Sequence, residues 1–186
     1  MSDQLVLGLA GALLLAAAAG IWIVIRRRRR STVEAALAAI AFDRLGDVVI
    51  PDGIGGEIHI EHLLLTCRGI LVIEVKPYEG AVFAGDRMDQ WTVIGRKGRV
   101  TIRNPLRGLH DRVAAVRLLV RDMDVAGFVV FPPQADFSKG RPEEVRLPQD
   151  LLEDYARPAG GDRERLREAF APHWEQVCAA VRVVGA

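Results

Sequence analysis

Three observations on the sequence predict a mixed α/β domain that follows an N-terminal membrane anchor. Two β-rich segments, 58–65 and 70–75, surround a short turn and predict a hairpin. A helix with an apolar seam and a further buried strand follow the hairpin. Residues 5–25 form a separate apolar run. Because both hairpin strands are apolar on both faces, the sheet is predicted to be covered on both sides.

The apolar run Leu5–Ile25 has 21 uncharged residues. At about 1.5 Å per residue, a helix of this length crosses a hydrocarbon core of roughly 30 Å. Five arginines, Arg26–Arg30, follow at once, and positive charge collects on the cytoplasmic side of a membrane helix. We therefore predict a single-pass anchor with the N-terminus outside and the C-terminal domain in the cytoplasm. A signal peptide fits less well, because no basic residue precedes the run.

Charge and cysteine content narrow the functional classes. Residues 31–186 carry 20 basic and 23 acidic side chains, a net charge of −3. This balance does not indicate a general DNA-binding domain, so a nucleic-acid surface would have to be local. Cys67 and Cys178 have no metal-ligand spacing, and two free thiols suit a reducing cytoplasm.

The domain begins with a predicted helix. Ser31 and Glu34 have capping-box spacing, and apolar positions from Val33 to Leu45 recur at helical intervals. Gly46 is predicted to end this helix.

The hairpin strands carry charge where their pattern otherwise demands apolar residues. If the turn has two or four residues, Leu65 pairs with Ile70, and the same register places Glu61 opposite Glu74. A three-residue turn with Gly69 in the left-handed conformation would shift the register and send Glu61 to the other face. Two carboxylates about 5 Å apart repel by on the order of 3 kcal/mol at an effective dielectric near 20. A divalent cation removes this repulsion, and ligation by oxygen favours Mg²⁺ or Mn²⁺.

Lys76 lies two residues after Glu74, on the same face of the predicted strand. From there an ammonium group can orient a water molecule or stabilise charge on a phosphoryl oxygen. The alternative is that Glu61, Glu74 and Lys76 simply mark solvent-exposed strand ends. The pattern alone leaves both interpretations open.

Further elements follow the hairpin. Residues 91–94 and 100–102 predict a second strand pair around a glycine-bounded turn. The Asn-Pro pair at 104–105 predicts a helix start, and an apolar seam covers 106–123. Residues 127–131 predict a buried strand.

The chain is predicted to have three parts. They are an anchor over 1–30, a core domain over 31–135 and a helical extension over 136–186 that packs on the domain. Two helices, 147–155 and 162–181, are predicted in the extension, the second interrupted at Pro172.

The segment from Ile60 to Lys76 resembles the signature of the nuclease-related domain (NERD) family. In that family an Ile-Asp-His strand leads through an Arg-Gly turn to a Val-Ile-Glu-Val-Lys strand, and here the corresponding strands begin at Ile60 and Val72. The resemblance covers about residues 31–135. Its other matching positions are Tyr78, Gly80, Trp91-Thr92, Asn104-Pro105-Leu106-Arg107 and His110.

The resemblance implies a nuclease of the PD-(D/E)XK type, with a restriction-endonuclease-like mixed sheet flanked by helices. It implies that Glu61 and Glu74 are the metal ligands, that Lys76 is the catalytic lysine, and that Mg²⁺ or Mn²⁺ is the cofactor. The chain departs from the family pattern at three positions. Glu61 replaces an aspartate, Pro77 stands where asparagine is common, and Gly108 stands where a glutamine often follows.

Three further residues are accessory candidates. Glu34 matches an acidic residue in the family's first helix, and a capping-box partner is its alternative role. His62 lies beside the predicted metal, but hard cations prefer oxygen, so packing or hydrogen bonding is its alternative role. His110 belongs to the matching series and flanks the apolar seam.

A basic stretch predicts local contact with nucleic acid. Eight basic residues and one acidic residue lie between positions 96 and 121. Those assigned to phosphate contact are Arg96, Lys97, Arg99, Arg103 and Arg107. A solvated helix face is the alternative.

The sequence as a whole predicts a membrane-anchored, metal-dependent nuclease that cleaves DNA or RNA on the cytoplasmic side. The alternative is a catalytically degenerate module that binds nucleic acid or a protein partner at the membrane. The Glu-x-Lys strand favours the enzyme. The substitution at position 61 and the net negative charge of residues 31–186 favour the module.

Overall fold

The structure, a computed structural model, describes residues 32–183. The predicted anchor Leu5–Ile25 and the arginine run lie outside these residues. Among residues 32–183, no helix combines the length and the apolar character that crossing a membrane requires.

The predicted mixed α/β class is confirmed, but the strands form two mixed sheets where a single one was predicted. The strands are β1 (Asp43–Pro51), β2 (Glu57–Thr66), β3 (Gly69–Val75), β4 (Gly80–Phe83), β5 (Gln90–Gly95), β6 (Gly98–Arg103), β7 (Val125–Val130), β8 (Ala135–Asp136), β9 (Val145–Arg146) and β10 (Arg182–Val183). The helices are α1 (32–40), α2 (Leu106–Leu119), α3 (Pro148–Asp154) and α4 (Gly161–Ala180).

The larger sheet has six strands in the order β10-β1-β2-β3-β7-β9. Strands β2 and β3 are the predicted hairpin, with Leu65 opposite Ile70 and Thr66 opposite Gly69. The turn between them therefore has two residues, and the register shift that a three-residue turn would cause is excluded. Gly69 has a φ of 114°, and a Cβ there would meet the carbonyl oxygen of Asp124 at 2.3 Å, so this position requires glycine.

Apolar side chains cover both faces of the six-stranded sheet, as the sequence predicts. One face carries Leu63 and Val72, which share a core cluster with residues of α2 and α4. The other face carries Leu64 and Leu71, which cluster with residues of α1 and α3. Strand β7, the predicted buried strand, pairs in parallel with β3 and completes the centre of the sheet.

The smaller sheet has the order β6-β5-β4-β8, and β5 and β6 are the predicted second strand pair. Its inner face joins the core through Val82, Trp91 and Val93. The Trp91 ring stacks on Phe131 with centroids 6.3 Å apart. The two sheets therefore share one core with α2.

The first helix is shorter than the sequence predicts. Helix α1 ends at residue 40, and Leu45 and Gly46 belong to β1, where they lie opposite Leu63 and His62. Leu45 continues the helical spacing, but pairing with β2 satisfies the main chain and buries apolar side chains of β1 in the core. Ser31, the predicted cap, lies outside the described residues.

Helix α2 begins as predicted and ends earlier. The side-chain oxygen of Asn104 accepts a hydrogen bond from the Leu106 amide at 2.9 Å, which is the predicted capping role. The helix ends at Leu119, so the last member of the predicted seam, Met123, lies beyond it and packs on the core from a turn.

The C-terminal segment adds both strands and helices. Helix α4 is continuous across Pro172, contrary to the predicted interruption, because Trp174 and Val177 beyond the proline pack into the core. Strand β9 pairs with β7 and strand β10 with β1, so the segment also extends the six-stranded sheet. The division of the chain at residue 135 stays a prediction.

Candidate functional site

The carboxylate of Glu74, at the end of β3, lies between two cations. Lys76 Nζ is 2.6 Å from Glu74 Oε1, and Arg112 Nη1 donates a hydrogen bond to Oε2 at 3.2 Å. The exposed fractions of the three side chains are 16% for Glu74, 25% for Lys76 and 24% for Arg112. Both oxygens of this largely buried carboxylate are therefore neutralised by side chains of the chain itself.

Arg112 connects helix α2 to the strands at this point. Its Nε donates to the His59 carbonyl oxygen at 2.7 Å, while Nη1 contacts Glu74. A Cβ at Gly108 would lie 2.9 Å from Arg112 Nη1, so the small residue one helical turn earlier leaves room for the guanidinium. Sequence reasoning placed Arg112 only within the basic stretch. The spacing of Gly108 and Arg112 is the signal that would have drawn attention to it.

Glu61 lies beside the same strand end but outside the hairpin ladder. The ladder between β2 and β3 ends at His62 opposite Ile73. Beyond it, Glu61 Oε2 accepts a hydrogen bond from the Val75 amide at 2.8 Å. The predicted register thus brings Glu61 to the residue that follows Glu74, with its carboxylate bound to the main chain of β3.

An irregularity in β1 and β2 explains this placement. Asp47 has a φ of 50°, and the pairing of β1 with β2 skips the step between Gly46 opposite His62 and Val48 opposite Ile60. Ile60 and Leu63 consequently face the same core cluster, although strict alternation would separate them. Strict alternation along β2 therefore does not determine the face of the sheet on which Glu61 lies.

Glu34 and His62 lie on the α1 side of the sheet. His62 Nε2 is 3.4 Å from Glu34 Oε1 and 3.9 Å from Glu61 Oε1, and Arg44 Nη1 is 3.0 Å from Glu34 Oε2. The His62 side chain is 18% exposed. Both accessory candidates thus adjoin Glu61, linked to it through the imidazole.

His110 has a different environment. Its Nε2 is 3.1 Å from Glu144 Oε1, and its side chain is 58% exposed. Glu144 immediately precedes β9, so this contact ties α2 to the C-terminal segment. The structure therefore gives His110 a contact that does not involve the carboxylates at the end of β3.

The donor set at the end of β3 fits a hard cation in part. Glu61 and Glu74 offer carboxylate oxygens, and Mg²⁺ typically takes one or two carboxylates and completes its shell with water or phosphate oxygens. Within the part of the chain that the structure describes, no three His, Cys, Asp or Glu side chains form a metal-binding group. A cation would therefore have to displace Lys76 or Arg112 from an oxygen of Glu74.

The predicted phosphate-contacting residues are all exposed and lie on the smaller sheet and the start of α2. Arg96 and Lys97 occupy the turn between β5 and β6, and Arg99 and Arg103 lie on β6. Arg107 pairs with Asp89 at 2.8 Å. Their contact with nucleic acid stays a prediction.

A cleft of about 540 Å³ lies at the opposite end of β3 from Glu74. Arg68, Arg117, Arg121 and Tyr155 line it. Burial raises the pKa of the Tyr155 hydroxyl above its ordinary value. The cleft adjoins Val125, which pairs with Ile70 at the beginning of β3, so it is separate from the carboxylates.

Comparison with known proteins identifies the family. The chain is 21% identical over 96 residues to an uncharacterized protein of Bacillus anthracis, a match that covers 51% of this chain and 45% of that protein. The chain thus spans about half the length of this curated relative. No solved structure matches the chain significantly. The family model "Nuclease-related domain" matches residues 30–132, which confirms the resemblance of the β2–β3 segment: this chain belongs to the nuclease-related domain (NERD) family.

Proposed function

We propose that this protein is a membrane-anchored, metal-dependent nuclease that hydrolyses DNA or RNA on the cytoplasmic side. The observation that carries the proposal is the pairing of Glu74 with Lys76 at 2.6 Å, with the Glu61 carboxylate bound one residue further along. Membership of the nuclease-related family supports the same reaction class. The antiparallel β2–β3 hairpin next to the parallel β7 supports a restriction-endonuclease-like sheet.

The residues have distinct roles in this proposal. Glu61 and Glu74 would hold Mg²⁺ or Mn²⁺, which would supply Lewis-acid stabilisation of charge on a phosphoryl oxygen. Lys76 would orient the attacking water or stabilise the developing negative charge. The His62 imidazole lies 3.9 Å from the Glu61 carboxylate and helps to orient it. Glu34 holds the same imidazole ring from the other side.

The anchor belongs to the same proposal. Its support is the apolar run Leu5–Ile25 and the five arginines that follow it. Helix α1 is under way at residue 32, two residues after the last of these arginines. A linker of a few residues would therefore hold the domain close to the headgroups, where it would act on nucleic acid near the membrane.

A second candidate function is a degenerate module that binds nucleic acid or a protein partner without cleaving it. One observation favours it: Lys76 and Arg112 already neutralise both oxygens of Glu74. If these pairs are too stable to be displaced, no cation binds and the site has only a structural role.

The test is cleavage by the full chain, purified in detergent micelles. Labelled single- and double-stranded DNA and RNA are incubated with Mg²⁺, with Mn²⁺ or with EDTA. We expect cleavage of at least one substrate with either metal and none with EDTA, because the proposed reaction depends on a cation held by the two carboxylates. No cleavage by a folded, monodisperse sample would favour the module over the enzyme. Equal cleavage in EDTA would exclude a metal-dependent reaction.

Arg112→Gln is expected to tighten metal binding roughly tenfold, or about 1.4 kcal/mol. The guanidinium competes with a cation for Glu74 Oε2. The expected gain in binding free energy is smaller than the ~4 kcal/mol interaction between two charges ~4 Å apart at an effective dielectric near 20, because solvent reaches the site.

The measurement is the Mn²⁺ concentration that gives half of the maximal thermal stabilisation. Arg141→Gln, which removes a pairing with Asp150 away from the site, is the control. Unchanged Mn²⁺ affinity in Arg112→Gln would show that the metal does not use Oε2.

A further inference from the structure

The four-stranded sheet has one buried and one outward face. Val82, Trp91 and Val93 point inward and are at most 3% exposed. Because side chains alternate along a strand, their neighbours point outward. The outward residues on the three longer strands are Ala81, Phe83, Gln90, Thr92, Ile94, Arg99, Thr101 and Arg103.

Phe83 is an aromatic residue on the outward face. It lies opposite Thr92, which lies opposite Thr101, so two small polar side chains flank the ring across the sheet. Among the described residues, Phe83 belongs to neither apolar cluster, and its side chain is only partly buried. The exposed part of this ring lies outside the core and beside small residues, so it offers an aromatic surface to a ligand.

Two arginines border this surface. Arg99 and Arg103 lie on the outward face of β6 and are exposed. Arg99 Nη2 is 3.4 Å from the Thr92 hydroxyl, so its guanidinium lies across the sheet toward the row that contains Phe83. Within residues 32–183, neither guanidinium has a carboxylate within ion-pair distance. Two such cations beside an aromatic face suit a ligand that alternates aromatic rings with anions.

Short segments connect this face to the end of β3. Three residues separate Lys76 from β4, which contains Phe83. On the other side, two residues separate β6 from α2, and α2 carries Arg112 against Glu74. The outward face and the carboxylates therefore belong to neighbouring elements of one fold.

We propose that the outward face of the β4–β6 sheet binds single-stranded nucleic acid, with a base stacked on Phe83 and phosphates on Arg99 and Arg103. This inference rests on the proposed nuclease function and specifies its substrate. Stacking needs a base with a free face, and the bases of a duplex are already stacked on each other. Single strands are therefore preferred over duplexes of the same sequence.

The test measures binding by the full chain in EDTA, where no cleavage interferes. Fluorescence anisotropy reports the affinity for labelled single-stranded DNA and RNA and for the matching duplexes. Phe83→Leu keeps the apolar bulk and removes the aromatic face, so single-strand affinity is expected to fall roughly 5-fold to 100-fold. Phe83→Tyr keeps the ring and is expected to bind like the original chain. Thermal unfolding of each variant verifies that the fold is retained.

The arginines are tested by a double substitution. Arg99→Ala with Arg103→Ala is expected to weaken single-strand binding at least about tenfold and to reduce its salt slope by about 1.4. Arg165→Ala with Arg167→Ala removes the same charge from the exposed side of α4 and is expected to change neither.

The outcomes distinguish this inference from the proposed function. If the original chain prefers duplexes, or if Phe83→Leu and the Arg99/Arg103 variant bind single strands normally, the inference is wrong. If those variants also cleave normally in Mg²⁺, the nuclease function stands with another binding surface. If the original chain neither binds nor cleaves any nucleic acid, both proposals fail.

Discussion

Replacing Glu74 with glutamine is expected to slow metal-dependent cleavage at least about 100-fold, since a lost metal ligand costs several kcal/mol of charge stabilisation. Glutamine keeps the size of the side chain and removes its charge. Lys76 and Arg112 then lie beside a neutral amide, which lowers the free energy of unfolding by about 1–3 kcal/mol. The same variant is expected to lose the thermal stabilisation that Mn²⁺ gives to the original chain.

Initial cleavage rates and Mn²⁺-dependent melting temperatures measure this effect. Glu164→Gln is a matched control, because Glu164 also pairs with an arginine, Arg167, but does so on the exposed side of α4. It is expected to retain both the rate and the Mn²⁺ response. A Glu74→Gln protein that cleaves at the original rate would remove Glu74 from the catalytic site and leave the ion pairs as purely structural.

Lys76→Met is expected to slow cleavage by roughly 100-fold to 1,000-fold, in the range of losing one group that stabilises transition-state charge. Methionine keeps most of the apolar stem and removes the ammonium group 2.6 Å from Glu74 Oε1. In contrast to Glu74→Gln, this variant keeps both carboxylates and loses a competing cation. Its thermal stabilisation by Mn²⁺ is therefore expected to be equal to or larger than that of the original chain.

The cleavage rate and the thermal stabilisation by Mn²⁺ together distinguish a metal ligand from a residue that acts on the attacking water. Lys139→Met removes an exposed lysine on a turn outside the site and is expected to change neither quantity. If Lys76→Met loses the Mn²⁺ response together with the rate, Lys76 organises the carboxylates and has no separate catalytic role. If it retains the original rate, water activation by Lys76 is excluded.

Local sequence determined the elements whose contacts are close in sequence. The β2–β3 hairpin follows from two apolar segments around a short turn, and Leu65 lies opposite Ile70, which is one of the two registers that the sequence left open. Asn104 caps α2 because its side chain reaches an amide two residues away. Membership of the nuclease-related family was also readable in the β2–β3 segment, because its residues are contiguous in the chain.

Predictions that depended on distant partners failed or were incomplete. Leu45 repeats at helical spacing, yet it lies in β1, because pairing with β2 outweighs local propensity. The position of Glu61 depends on Asp47, which has a φ of 50° and interrupts the pairing of β1 with β2. Neither effect is visible in a single stretch of sequence.

The sequence by itself determined the family, the central hairpin and the identity of Glu61, Glu74 and Lys76 as the charged residues at its end. Only the tertiary structure decided how those charges are balanced. Arg112 reaches Glu74 from a helix 38 residues further along the chain, and Glu61 turns to the Val75 amide where β2 and β3 cease to pair. Partners in an ion pair are set by the packing of elements, and no local periodicity encodes that packing.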